Sequence, residues 1–269
     1  MWGSMRKWLP FIKSGPTVAI IRMAGTISAQ PRAALNDGTL GPVIEKAFRR
    51  GKPDAIALEI NSPGGSPVQS SLIGARIRRL ADEKKIPVFA FVEDVAASGG
   101  YWLAAAADEI HADASSVVGS IGVISSSFGL HQFINEHGIE RRVHTAGESK
   151  SMLDPFRPEA PEDVERLNRL LEDIHGNFID HVKTRRGDKL DGSVKLFTGE
   201  VWLGRRALEL GLIDGIGHLR TTMKQRFGDK TTFRRYGVKR PLLSRFGAQV
   251  LSDAVQGIEE RAAYARFGL

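Results

Sequence analysis

Residues 55–65 read Ala55-Ile56-Ala57-Leu58-Glu59-Ile60-Asn61-Ser62-Pro63-Gly64-Gly65, an apolar run that stops in a cluster of turn formers. Ala55 to Ile60 has the length and composition of a strand, and the Asn-Ser-Pro-Gly-Gly stretch behind it marks a loop. From Ser66 to Lys84 the apolar residues Val68, Leu72, Ile73, Ile77 and Leu80 recur at helical spacing, and Pro87 to Val92 is again strand-like. Strand, loop, helix and strand in this order make a βαβ unit. The same rhythm extends in both directions. Thr17 to Met23 reads as a buried strand ending at Ala24-Gly25, and Pro42 to Arg50 as a helix stopped by Gly51-Lys52-Pro53. Downstream, the spacing predicts a short Ala-rich helix over Ser98–Ala107 and a strand over Glu109–Ala112. A turn at Ser115–Ser120 leads to a strand at Ile121–Ser125, a helix at Gln132–Gly138 and a strand at Arg141–His144. A long charged amphipathic helix is predicted over Pro161–Arg186, a further helix over Val201–Gly211 closed by Gly211, and a C-terminal helix over Ser244–Phe267. Alternation of this kind specifies an α/β fold with a mainly parallel sheet.

A chain of 269 residues corresponds to about one or two domains. With 42% hydrophobic and 26% charged residues it has the material for a substantial core. There is no cysteine, which excludes disulfide frameworks, thiolate metal sites and cysteine nucleophiles. The net charge of +7 is concentrated: Arg220 to Arg245 holds nine Lys/Arg against Asp229 alone, a local +8, so the remainder is close to neutral. Such a segment suits an anionic membrane surface, nucleic acid or an acidic substrate, or is a solvated basic connector. The apolar runs, Val18–Ile21 for example, fall far short of the ~20 residues that a bilayer requires. At the N-terminus Trp2, Met5, Trp8, Leu9, Phe11 and Ile12 stand among Arg6, Lys7 and Lys13, without the apolar centre of a secretory signal. That composition fits an interfacial arm or one packed on a partner.

The chemistry centres on Ala96-Ala97-Ser98-Gly99-Gly100-Tyr101. Small residues two before and two after a serine, between a strand and a helix, allow the sharp turn that presents a nucleophile. The helix begun there would aim free N–H groups at an oxyanion, although a serine N-cap has the same local pattern. The Asn61–Gly65 loop lies at the carboxyl end of the preceding strand, on the edge where open α/β sheets place their sites. Its paired glycines let a backbone N–H approach a substrate carbonyl and, with that of Gly99, form a two-donor oxyanion hole. A serine also needs a base. Seven histidines are present, His111, His131, His137, His144, His175, His181 and His218, and none stands in a setting that marks it. Lys150, in Gly147-Glu148-Ser149-Lys150-Ser151-Met152-Leu153-Asp154-Pro155-Phe156, is the other candidate, since lysine serves as a base where desolvation and nearby cations favour the free amine, although these residues alone fit an ordinary surface lysine better.

Taken together with Gly119-Ser120-Ile121-Gly122-Val123 and with Phe197-Thr198-Gly199 leading to Ala207-Leu208-Glu209-Leu210-Gly211-Leu212-Ile213-Asp214, these stretches resemble the signal peptide peptidase A (SppA/SohB) family of serine peptidases. The resemblance runs from about Val18 to Gly217. It implies the Clp protease/crotonase-like fold, a ββα superhelix with a mainly parallel sheet, followed here by a C-terminal helical extension. On that basis the chain divides into an N-terminal arm (1–16), a peptidase domain (17–217) and a basic extension with a helix (218–269). The resemblance implies Ser98 as nucleophile, Lys150 as general base and Ser120 as the residue that orients the lysine. It also implies Gly64, supported by Gly65, and Gly99 as oxyanion donors, with no metal or cofactor. It further implies a peptide or protein substrate, with remnant signal peptides as one class, and a homo-oligomer whose sites are shared between subunits. No nucleic-acid partner is expected. The lack of an anchor-length apolar run departs from typical members, and points to the cytoplasm or to peripheral contact with an anionic inner membrane face. Two other readings use the same residues differently: a crotonase-type acyl-CoA hydratase or hydrolase, and a non-catalytic scaffold at the membrane.

Overall fold

The computed structural model describes residues 15–30, 35–147, 149–237 and 261–269. Strand β1 (Thr17–Ala24) is followed by α1 (Asp37–Arg49), β2 (Ala55–Ser62), α2 (Pro67–Lys84), β3 (Val88–Ala97), α3 (Gly99–Ala105), β4 (Glu109–Ala112) and β5 (Val117–Gly119). Then come α4 (His131–Glu136), α5 (Pro161–Arg186), β6 (Val201–Leu203), α6 (Gly204–Glu209), β7 (Gly215–Ile216), α7 (Leu219–Phe227) and β8 (Thr232–Tyr236). The strands form one sheet in the order β6-β5-β3-β2-β1-β8, with β4 pairing with β3 and β7. The pairings are parallel except β5 with β6.

Both faces of the central strands are covered, which is why β1 and β2 read as continuous apolar runs rather than as alternating ones. Ala19, Ile21, Met23, Ile56, Leu58 and Ile60 face the main core, where α1 contributes Ile44 and Phe48, and α2 contributes Ile73 and Ile77. Val18, Ile20, Ala55, Ala57, Phe89 and Phe91 face the other way, against Leu219 and Met223 of α7. On α2 the buried stripe is narrower than the sequence pattern, because Val68 and Leu72 are exposed.

Several boundaries differ from the sequence expectation. Helix α1 begins at Asp37, since the Asn36 side chain accepts from Thr39 N–H at 2.8 Å and caps it. Ile121–Ser125 is not a strand. The pairing falls instead on Val117–Gly119, expected as a turn, whose residues sit opposite Val95–Ala97 before the chain leaves the sheet. Arg141–His144 is also not a strand: the segment is exposed, and among the described residues no strand pairs with it. Val201–Leu203 pairs antiparallel with β5, so the helix expected over Val201–Gly211 starts at Gly204. The sheet does not stop at Gly217 either. β8 lies parallel to β1, from Thr17 opposite Thr232 to Ile21 opposite Tyr236, and so draws part of the basic extension into the core fold. There Arg226 forms a two-pronged pair with Glu109, and Arg235 pairs with Glu59. The arm over 1–14, Glu148 and most of the helix expected at Ser244–Phe267 lie outside the described residues. Among the described residues no helix is long and apolar enough to cross a membrane.

Candidate active site

The register of β3 and β5 builds the site. Ala97 pairs with Gly119, so the next residue of each strand, Ser98 and Ser120, leaves the sheet side by side. Ser98 N–H donates to Gly119 O at 2.8 Å, and Ser120 N–H to Glu200 O at 2.7 Å. Both serines have left-handed backbones, with φ of 51° at Ser98 and 50° at Ser120. Each such residue costs about 1–3 kcal/mol and persists only where its surroundings hold it. Around Ser98 they do: Ala96, Ala97, Gly99 and Gly100 are buried, and Gly100 packs so closely on Ser62 O that no Cβ would fit. The Ser98 side chain makes no capping bond to α3, which removes the N-cap reading. It faces a cavity of about 450 Å³ that Ser120 also lines.

The Asn61–Gly65 loop closes one side. Ser62 Oγ–H donates to Gly25 O at 2.7 Å and accepts from Gly64 N–H at 3.2 Å. Gly64 has φ of 101°, and a Cβ there would lie 2.8 Å from both Ser98 Cβ and Gly99 N. The Gly64 N–H is therefore engaged with Ser62 while its Cα supports Ser98. The N–H groups of Gly65 and Gly99, both on the cavity wall, make no hydrogen bond among the described residues.

The opposite wall comes from α3 and α5. Trp102 stacks on Phe178 (5.0 Å, 28°) and on His181 (4.6 Å, 9°). His181 Nε2–H donates to Trp102 O at 3.0 Å, and burial holds its pKa below the usual histidine value. Arg185 donates to Ala105 O and Ala107 O at 3.1 and 3.0 Å. One edge of α5 thus satisfies the free carbonyls at the end of the short helix that carries Ser98. His175 bonds Ile121 O at 3.1 Å. None of the seven histidines is hydrogen-bonded to Ser98.

Lys150 stands apart. It lies in an exposed turn, its backbone N–H bonded to Gly147 O at 3.2 Å, and it is absent from the cavity wall. The surrounding segment, 122–160, exposes Ile124, Phe128, Phe133 and Ile139, with Phe128 84% exposed. The structure thus brings Ser98, Ser120, Gly65 and Gly99 together, with Gly64 behind them, and leaves Lys150 elsewhere. Among the described residues no cluster could hold a metal ion. Sequence reasoning missed the Trp102–Phe178 wall, although Trp102 stands one helical turn beyond Ser98 and Phe178, His181 and Arg185 share one face of α5.

The sequence profile of peptidase family S49 matches residues 81–230, that is 150 of 269 residues. The chain belongs to peptidase family S49. That membership places it with serine-type peptidases. It is 46% identical over 271 aligned residues to a Brucella abortus protein named Na(+)/H(+) antiporter NhaA, covering 94% of this chain and 37% of that one. It is 32% identical over 226 residues to the chloroplastic serine protease SPPA of Arabidopsis thaliana, covering 81% of this chain and 33% of that one. The S49 chain thus spans only about a third of the length of these relatives. Its fold is that of a mutant of the 1510-N membrane-bound stomatin-specific protease, with a TM-score of 0.50 at 15% identity, over 84% of this chain and 99% of that one. The shared architecture is Clp protease/crotonase-like.

Proposed function

We propose that this chain is a serine endopeptidase in which Ser98 is the nucleophile and Lys150 the general base, the lysine being supplied by a neighbouring copy. The observation that carries the reading is Ser98 itself, held at φ 51° on the wall of the cavity beside two uncommitted N–H groups. The absence of Lys150 from that wall, and the apolar residues exposed around it, support a base delivered across a subunit interface.

The free amine of Lys150 takes the Ser98 hydroxyl proton as Oγ attacks the scissile carbonyl. The Gly65 and Gly99 N–H groups receive the oxyanion, each donor worth about 3–4 kcal/mol in comparable sites. Gly64, the donor expected from sequence, serves instead as the close-packed support of Ser98. Ser120 orients the lysine. The resulting ammonium returns its proton to the leaving amine, and the amine so regenerated activates water to release the acyl group. Substrates are peptides whose apolar side chains pack against the stacked Trp102 and Phe178 on the cavity wall, with membrane-derived peptides and unfolded protein as the classes to test. The catalytic unit runs from Thr17 to Tyr236. Ser98→Ala and Lys150→Ala are each expected to abolish cleavage of fluorogenic peptides while assembly, read by light scattering, is retained. Full turnover by Lys150→Ala would refute the pairing.

A further inference from the structure

Among the described residues Arg266 is the one charged residue on the wall of the Ser98 cavity. It arrives from residues 261–269, which return to the edge of the sheet where the site lies. Tyr264 Oη–H donates to Asn61 O at 2.6 Å, tying this segment to the loop that carries Gly64 and Gly65. Phe267 follows Arg266 onto the same wall. With the segment in place the cavity still measures about 450 Å³, so the segment borders the space rather than filling it. The other described residues of the wall are uncharged, Pro63, Trp102, Ile174 and Phe178 among them. Among the described residues no carboxylate pairs with the exposed Arg266, whose guanidinium lies 5.9 Å from the Phe267 ring; the same is true of exposed Arg205 and Arg234, but neither of those is on the cavity wall. An unmatched guanidinium beside an uncharged cavity is a receptor for a carboxylate, which its planar donors hold in a directed way.

We propose that Arg266 is a specificity-determining residue, selecting peptides that place a carboxylate next to the apolar stretch lodged against Trp102 and Phe178. The inference rests on the peptidase reading. The carboxylate is either an Asp or Glu side chain or the peptide's own C-terminus, and the test separates the two. Apolar peptides would carry Asp, Asn or Lys at one position at a time on either side of the cleaved bond, each with a free or an amidated C-terminus. kcat/KM would be measured for the full chain and for Arg266→Glu.

At one position, or at the free terminus, wild type is expected to prefer the carboxylate over its neutral twin by about two- to fivefold, the range of one partly exposed ion pair. Added salt should shrink that preference. Arg266→Glu should reverse it in favour of Lys. A side-chain carboxylate is identified if the preference survives amidation, and the terminus if it does not. Equal carboxylate-to-neutral ratios in the two proteins would overturn the proposal, as would a uniform loss across all peptides, which is the mark of a merely structural wall. If wild type cleaves no peptide faster than Ser98→Ala does, the peptidase reading falls and this inference falls with it.

Discussion

At the scale of single residues the site depends on what is missing as much as on what is present. Ser98 keeps its left-handed backbone because Gly64, Gly99 and Gly100 bring three chain segments closer than any Cβ permits. Gly64→Ala would push a methyl against Ser98 Cβ and Gly99 N and strain a φ of 101° as well. We expect it to cost about 1–3 kcal/mol in urea unfolding and to remove most peptidase activity. Ordinary turnover in that variant would show that the close packing is incidental. Much of this was legible in the sequence, where Asn61–Gly65 and Ala96–Tyr101 announce tight turns. Which N–H groups are left free was not, because the Ser62 hydroxyl that captures Gly64 N–H is itself positioned by Gly25, 37 residues away.

At the scale of elements, the short α3 is held at both ends, by the β3–β5 register in front and by α5 behind. Removing Arg185 strips one hydrogen bond from Ala105 O, the last carbonyl of α3, and one from Ala107 O just beyond it. Arg185→Ala should therefore lower stability by about 1–3 kcal/mol and depress kcat more than KM, checked by denaturation and steady-state kinetics. Unchanged kcat would mean that α3 needs no such anchor. A second pin joins the end of α5 to β7. The guanidinium of Arg186, 3% exposed, donates to Gly211 O and Asp214, and Lys189 and the Ile110 N–H also reach Asp214. Burial pushes the Asp214 carboxyl up, but the bonds from Arg186, Lys189 and Ile110 outweigh it and hold the pKa below the usual carboxylate value. A lowered folded pKa gives stabilisation that is complete above the unfolded value of about 3.9 and is lost as pH falls through the folded one. Asp214→Asn should thus cost about 3–5 kcal/mol at neutral pH, and the gap from wild type should close in strong acid. A gap independent of pH would contradict this. The sequence showed α5 in full, because 26 residues of amphipathic pattern leave little choice. It hid β5 and β6, since three-residue strands carry no period to read.

At the scale of the whole molecule, one chain holds a serine centre and, apart from it, an exposed apolar segment bearing Lys150. That division explains why the parallel α/β core could be read from the sequence, while the site could be read only as a set of residues. Patterning reports burial within one chain and is silent about a surface such as the one proposed here to meet another copy. Phe128→Asp should leave the circular dichroism spectrum unchanged, reduce the assembled mass in light scattering and reduce peptidase activity in parallel. The shared site is tested most directly by mixing purified Ser98→Ala and Lys150→Ala proteins, dissociating them and reassembling them together. Each alone should be inactive, and the mixed assembly should regain a substantial fraction of wild-type peptide hydrolysis, because intact Ser98 of one copy meets intact Lys150 of another. A verified mixed assembly that stays as inactive as its parents would contradict the shared Ser98–Lys150 site.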